Sequence, residues 1–351
     1  MSKKHTKYQI VISDTGVIMS ENKVHEITVI GGGAAGVMAT LRGVLNNDDI
    51  LFFPGAPKDK KRSRDMWVAK VENIPGYAHY KKGIVDPNKE TIEWIQESEF
   101  SERLTLKKNT SVDSVEKNLD ETYTITDNKG ETYITRYVVL TTGIMDVQPH
   151  FDGTIDKIFP YANAQTADYC LRCDGHHVLG KHTSIIGTGD GAAWVGIMLK
   201  ERYNTPSMTI LTNGEDAVFS DEVKKLMKLY KMEVIDSKIV DVIGDKKAGQ
   251  LQGYKFASGR EIQSEFSFVS LGTIVYNKLA LMVGAEADKR GYIVTDPKGM
   301  TRAHNFYVAG DIRAGFKKQI YTAWDMAVDT MDDINRKVRT KKRLALLKEM
   351  E

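Results

Sequence analysis

Apolar and polar positions along the chain fall into two matching cycles. His25 to Ile30 is a run of strand length that closes on β-branched residues, and it predicts a buried strand. Val37 to Leu45 follows as a helix, and Asp49 to Phe53 supplies the next strand. The second cycle repeats this order: Thr183 to Ile186 as strand, Ala193 to Arg202 as helix, Ser207 to Thr212 as strand. Between the cycles, Tyr123 to Gly130 and Glu131 to Thr135 predict a hairpin around Asn128-Lys129-Gly130. Tyr137 to Gly143 is a short apolar strand ending in Thr-Gly, and Gln148 to Gly153 suits a linker. Phe266 to Gly272 and Asn305 to Asp311 are further apolar strands, ending in Gly and in Gly-Asp. A helix is expected from Gln319 to Asn335, and an extra hairpin around Asp14-Thr15-Gly16 in the N-terminal segment. The whole predicts an α/β chain with two Rossmann-like, three-layer dinucleotide-binding domains.

Composition sets bounds on this picture. A length of 351 residues suits about two domains. Lys and Arg number 49 against 47 Asp and Glu, so no global field favours nucleic acid or a membrane surface. No apolar run approaches the ~18 residues of a membrane-spanning helix. Met1 to Asn22 lacks the apolar stretch of a signal peptide, so a cytoplasmic protein is expected. Two basic runs, Lys58 to Arg64 and Arg336 to Arg343, read as solvated faces, or as docking sites for an acidic protein.

Candidate chemistry lies where strands meet helices. Gly31-Gly32-Gly33-Ala34-Ala35-Gly36 is Gly-x-Gly-x-x-Gly, and Gly187-Thr188-Gly189-Asp190-Gly191-Ala192 is Gly-x-Gly-x-x-Ala. Such turns let a pyrophosphate approach the backbone and sit at a helix N-terminus. The two cysteines, Cys170 and Cys173, form one Cys-x-x-Cys. A disulfide-stapled secreted fold needs more cysteines, and a structural zinc site usually takes four ligands, so the pair reads as redox-active and no metal is expected; half of a metal site, with His176 and His177 following closely, and accidental spacing are the alternatives. Two dinucleotide units with a dithiol point to an electron relay. Arg172 could add positive potential between the cysteines, Asp174 could shuttle a proton on thiol exchange, and His176 and His177 could relay protons or simply pack.

In order along the chain, Gly31–Gly36, Val71-Glu72-Asn73-Ile74-Pro75-Gly76, Leu140-Thr141-Thr142-Gly143, Cys170-Leu171-Arg172-Cys173-Asp174-Gly175, Gly187–Ala192, Ala309-Gly310-Asp311 and Lys318-Gln319-Ile320 resemble the low-molecular-weight thioredoxin reductases. These are two-domain, FAD-dependent pyridine nucleotide-disulfide oxidoreductases. The resemblance runs from about Glu26 to Asn335. It implies a discontinuous FAD domain, 25–147 and 276–335, with the dithiol-bearing nucleotide domain, 151–272, inserted into it. Residues 1–24 and 336–351 are then an N-terminal extension and a basic tail. It implies that Gly31, Gly33 and Gly36, with Ala34 and Ala35, hold the FAD pyrophosphate. Asn73, Thr142, Gly143, Gly310, Asp311 and Lys318 would also line the FAD site, with Gln319 and Ile320 beside the isoalloxazine. Cys170 would attack the substrate disulfide, Cys173 would face the flavin and Asp174 would donate the proton. Gly187, Gly189, Asp190, Gly191 and Ala192 would hold a second nucleotide. The partner implied is a thioredoxin-like protein or a small disulfide, and the assembly a homodimer.

Two positions depart from the family pattern. Members that use NADPH carry His-Arg-Arg after the strand that follows the second glycine motif. Here Met208 to Thr212 is followed by Asn213-Gly214-Glu215-Asp216, with no Lys or Arg before Lys224. Acidic side chains there repel a 2′-phosphate and suit a ribose hydroxyl pair, which favours NADH over NADPH. Electrons from another donor, such as the acidic protein ferredoxin, are the alternative. Phe52-Phe53-Pro54-Gly55 replaces the acidic residue often found at the end of the second strand. Three further readings stay open: a dithiol oxidase passing electrons to oxygen, a flavin-bound redox sensor or adaptor, and a flavoprotein in which the dithiol is incidental.

Overall fold

The computed structural model describes residues 8–13, 16–21 and 23–350. The chain forms two compact units: Met1–Ser63, Pro87–Ile144 and Val275–Glu351 in the first, Arg64–Asp86 and Met145–Ile274 in the second.

The first unit is built on a seven-stranded sheet. Strand Val24–Ile30 lies between Ile50–Phe53 and Thr132–Leu140, parallel to both. Leu104–Leu106 extends one side in parallel. On the other side, Thr132–Leu140 is shared. Its first half pairs antiparallel with Tyr123–Asp127, and its last three residues pair parallel with Phe306–Val308. Registers set Ile30 opposite Phe53 and Leu140, and Leu140 opposite Val308. The loops that follow, Gly31–Gly33, Thr141–Gly143 and Ala309–Asp311, therefore leave the sheet together at its carboxyl edge.

Both faces of this sheet are covered, as its near-continuous apolar strands require. Ile27, Val29, Phe52, Val139 and Tyr307 pack with helices Ala34–Leu45 and Ile320–Glu349. Ile30, Leu51, Phe53, Val138, Leu140 and Phe306 form the opposite core. Gly43 lets the two helices close on the sheet: an added Cβ would lie 2.5 Å from Ile50 Cδ1 and 2.7 Å from Met331 Cε.

In the second unit a parallel sheet runs in the order Ala167–Asp168, Phe266–Ser270, Thr183–Gly187, Met208–Leu211, Glu233–Ile235. A three-stranded antiparallel sheet, Ile239–Asp245, Gln250–Phe256 and Glu261–Gln263, accompanies it.

Three features differ from the sequence reading. Glu131–Thr135 and Tyr137–Leu140 are one continuous strand, Thr132–Leu140. The last helix does not stop at Asn335; it runs to Glu349 and carries the basic run. No Gly or Pro interrupts residues 320–351, and Lys, Arg, Leu and Ala keep helical backbone favourable after the buried face ends at Val338. Arg64–Asp86 groups with the second unit, not with the first as the resemblance implied. Trp67 stacks on Phe159 at 5.7 Å, and Arg64 donates to Asp146 at 2.7 Å. The N-terminal strands Tyr8–Ser13 and Gly16–Glu21 pair antiparallel, as the expected hairpin requires; Asp14 and Thr15 lie outside the described residues.

Candidate active site

The short strand Ala167–Asp168 delivers the chain to the cysteines. Cys170 is the N-cap of the helical turn Leu171–Asp174, and its sulfur accepts the backbone N–H of Cys173 at 3.2 Å. A disulfide joins Cys170 to Cys173. Asp174 closes the turn with its carboxyl buried, and Asp168 is buried nearby. Gly175–Val178 continues as a 3-10 turn that presents His176 and His177.

These groups form one polar cluster with Glu72. His177 Nδ1 lies 3.0 Å from Asp168 Oδ2, and its Nε2 lies 2.7 Å from Glu72 Oε2. His176 Nε2 lies 2.9 Å from the same oxygen. Hydrogen bonding to Asp168, reinforced by Glu72, pushes the His177 pKa up to about 9. Both imidazoles hold the Glu72 carboxyl below its ordinary value. Burial, with the Asp168 carboxylate nearby, pushes Asp174 up to about 7, so it holds a proton near neutral pH. Arg172 is exposed. Glu72 and Asp168 were missed in the sequence. Glu72 lies inside a motif valued for its neighbour Asn73, and Asp168 is an acidic residue ending an apolar strand. His176 stands 104 residues from Glu72, so no local pattern announces the pair.

In the first unit, Gly31 has φ +116° and backs onto Thr141, where an added Cβ would lie 2.5 Å from the carbonyl oxygen. At Gly36 a Cβ would lie 1.8 Å from the Gly31 oxygen, and at Gly310 2.8 Å from Ala35 Cβ. Gly33 caps the helix Ala34–Leu45 with no side-chain bond and no acidic residue in the first turn. Thr142 donates to the Tyr276 carbonyl at 2.8 Å, and Gly143 beside it faces open space. Asp311 follows Gly310. Lys318 donates to the Arg313 carbonyl and lies over the Tyr292 ring. Gln319 is the buried N-cap of the helix that Ile320 opens. Asn73 is part of the second unit, half-buried between Val71 and Ile74.

In the second unit, Gly187 abuts the Ser270 carbonyl, and Gly189, at φ +69°, opens the helix Gly189–Tyr203. Asp190 accepts the Ser220 N–H at 2.8 Å, Gly191 faces open space and Ala192 is buried. Asn213 is committed to the fold: its side chain donates to the His150 carbonyl and accepts the Ile239 N–H, both at 2.8 Å. Glu215 and Asp216 are exposed. Folding also brings in a cation that the linear reading passed over, because the Lys238 side chain lies alongside Gly214.

Residues 25–330 match the pyridine nucleotide-disulphide oxidoreductase family. The chain belongs to this family. Its relatives include the thioredoxin reductase of Treponema pallidum, 24% identical over 304 residues, with 85% of this chain and 92% of that one covered. That of Listeria innocua is 26% identical over 314 residues, covering 87% and 91%. Among solved structures, the thioredoxin reductase of Streptococcus pyogenes superposes with a TM-score of 0.76 at 18% identity, covering 91% of this chain and 99% of that one. That of Giardia duodenalis gives 0.74 at 20%, covering 90% and 99%. These structural likenesses carry the fold. With the family match, they meet the expectation of a thioredoxin reductase-like oxidoreductase acting on sulfur.

Family membership implies a flavin and a pyridine nucleotide, and the residues fit both. In the first unit, three glycine-bearing loops close on a helix N-terminus whose N–H groups have no side-chain cap, which suits a pyrophosphate. In the second, Thr188 also leaves its helix without a side-chain cap, and the one acidic side chain in the first turn, Asp190, is turned to Ser220.

Proposed function

We propose that the chain is an FAD-dependent disulfide reductase whose dithiol is Cys170–Cys173. The single observation that carries this reading is the Cys173 N–H directed at Cys170 Sγ, with buried Asp174 closing the same turn. A donated N–H stabilises a thiolate, so Cys170 is the attacking sulfur. FAD bound at the Gly31–Gly36 loop and the first unit's carboxyl edge would supply the electron pair that reopens the disulfide. The Cys170 thiolate then attacks one sulfur of a partner disulfide. That S–S bond breaks, the leaving thiolate takes a proton, and a mixed disulfide forms. Asp174 gives that proton, a role its buried carboxyl in the same turn supports. Cys173 next attacks Cys170 Sγ and releases the second partner thiol. The partner gains two electrons, and the pair returns to the disulfide. Relatives named thioredoxin reductase support a thioredoxin-like protein as partner, with a small disulfide as the other substrate class. The family resemblance implies a homodimer, and a single redox Cys-x-x-Cys suits the cytoplasm.

For the second nucleotide, the acidic Glu215 and Asp216 favour NADH over NADPH, against the Lys238 side chain beside Gly214. The same acidic loop favours a second reading in which another donor such as ferredoxin, or oxygen as acceptor, takes the nucleotide's place.

The test is anaerobic flavin bleaching with NADH and NADPH separately, followed by turnover with thioredoxin and with a small disulfide. Bleaching by NADH and turnover that disappears in Cys170→Ser are expected. Turnover that survives Cys170→Ser overturns the dithiol assignment. Bleaching by dithionite alone overturns the nucleotide assignment and favours the second reading.

A further inference from the structure

We propose that Glu72, His176 and His177 form a binding site for one divalent transition-metal ion of the zinc type. The inference does not depend on the flavin or on the direction of electron flow. Candidate ligand atoms of the three residues all lie within 4.8 Å of one another. Both Nε2 atoms converge on one Glu72 oxygen, at 2.9 Å from His176 and 2.7 Å from His177. Around a tetrahedral zinc with bonds near 2.0–2.1 Å, neighbouring ligand atoms sit about 3.3 Å apart. Each nitrogen need only part from the Glu72 oxygen by about half an ångström to admit the ion, and His176 and Glu72 are exposed enough to do so.

The ring behind the site is already oriented. His177 Nδ1 is bonded to buried Asp168 at 3.0 Å, which fixes the ring and turns Nε2 outward to Glu72. A carboxylate behind a ligating histidine is the usual outer-shell support of zinc sites. Charge argues the same way. Glu72 and Asp168 set two carboxylates around the two imidazoles, and a dication held by neutral rings balances them. Two nitrogens and one carboxylate oxygen select zinc, cobalt or nickel over magnesium or calcium. Three protein ligands leave a fourth position to water. A second grouping, Asp168, Asp174 and His177, also lies within 4.8 Å, but it offers one imidazole and two buried acids. The outer set is therefore the one assigned. The ion would tie the Glu72 segment to the turn that follows the dithiol.

Zinc titration by calorimetry tests this on the untagged full-length chain, with the disulfide kept oxidised so that no thiolate competes. One zinc per chain is expected. His176→Ala, at an exposed position, should weaken binding at least tenfold while circular dichroism and Tm stay unchanged. Asp168→Asn should weaken it by about 10–100-fold through the outer shell. Magnesium should neither bind nor compete. Absence of saturable zinc binding, equal affinity in wild type and His176→Ala, or equal competition by magnesium would each overturn the site.

Discussion

At the scale of single residues, the two cysteines are made unequal by one N–H group. Cys170 receives the Cys173 amide, whereas Cys173 lies within the helical turn. In reduced single-cysteine variants, Cys170 (in Cys173→Ser) should alkylate several-fold faster at pH 7 than Cys173 (in Cys170→Ser), because the thiolate is the reacting species. Iodoacetamide labelling followed by mass spectrometry reads this directly. Equal rates, or a faster Cys173, would reverse the assigned order of attack. The cysteines and glycines were legible in the sequence because their chemistry needs a fixed local spacing. Glu72, Asp168 and Lys238 were not. Glu72 and Lys238 meet His176 and Gly214 only through tertiary structure, whereas Asp168, nine residues before His177, sits in no motif that singles it out.

Among the elements, the C-terminal helix shows where sequence reading loses its grip. Its apolar face, Ala323, Ala327, Met331, Ile334 and Val338, announces the first half. Beyond that, no burial pattern marks the helix, and residues 341–350 are all exposed. What ties the middle of the helix down is polar. Asp333 accepts from Tyr307 at 2.7 Å and from Arg336 at 2.6 Å, and Lys337 lies 3.1 Å away. Burial alone would raise the Asp333 pKa, but these donors outweigh it and hold the carboxyl below its ordinary value. A carboxyl depressed on folding adds stability above its unfolded pKa of ~3.9 and loses it as pH falls through the folded value. Asp333→Asn should therefore cost about 1–2 kcal/mol at pH 7 in urea unfolding. The gap from wild type should close as the pH falls below about 4. A gap that persists unchanged at pH 2 would mean that packing, not charge, is what the substitution disturbs.

For the molecule as a whole, two glycine loops were enough to anticipate two nucleotide folds in one chain. They could not say that Arg64–Asp86 belongs with the second fold, because Arg64–Asp146 and Glu72 with its imidazoles are contacts made at a distance. Nor could they weigh Glu215 and Asp216 against Lys238. Thermal shift settles that balance, since a nucleotide bound at a hundred times its Kd stabilises by about 2.7 kcal/mol. NADH should raise Tm more than NADPH at equal concentration. In Lys238→Ala any NADPH shift should shrink and the NADH shift should remain. A larger shift with NADPH that survives the substitution would count against the acidic loop as the selecting feature.

The strand Thr132–Leu140 has a consequence for biosynthesis. Its end pairs with Phe306–Val308, yet all of Met145–Ile274 is translated between the two. Synthesis runs from the N-terminus at about 5–20 residues per second, and domains tend to fold as units as they emerge. The later-numbered unit can therefore assemble on the ribosome while the earlier sheet still lacks its closing strand. The Gly31 loop, although made before that unit, gains its neighbour Gly310 only after the unit has been translated. A nascent chain arrested before Phe306 would then carry a folded dithiol unit beside an open sheet edge, the state most exposed to chaperones and to premature pairing with another chain.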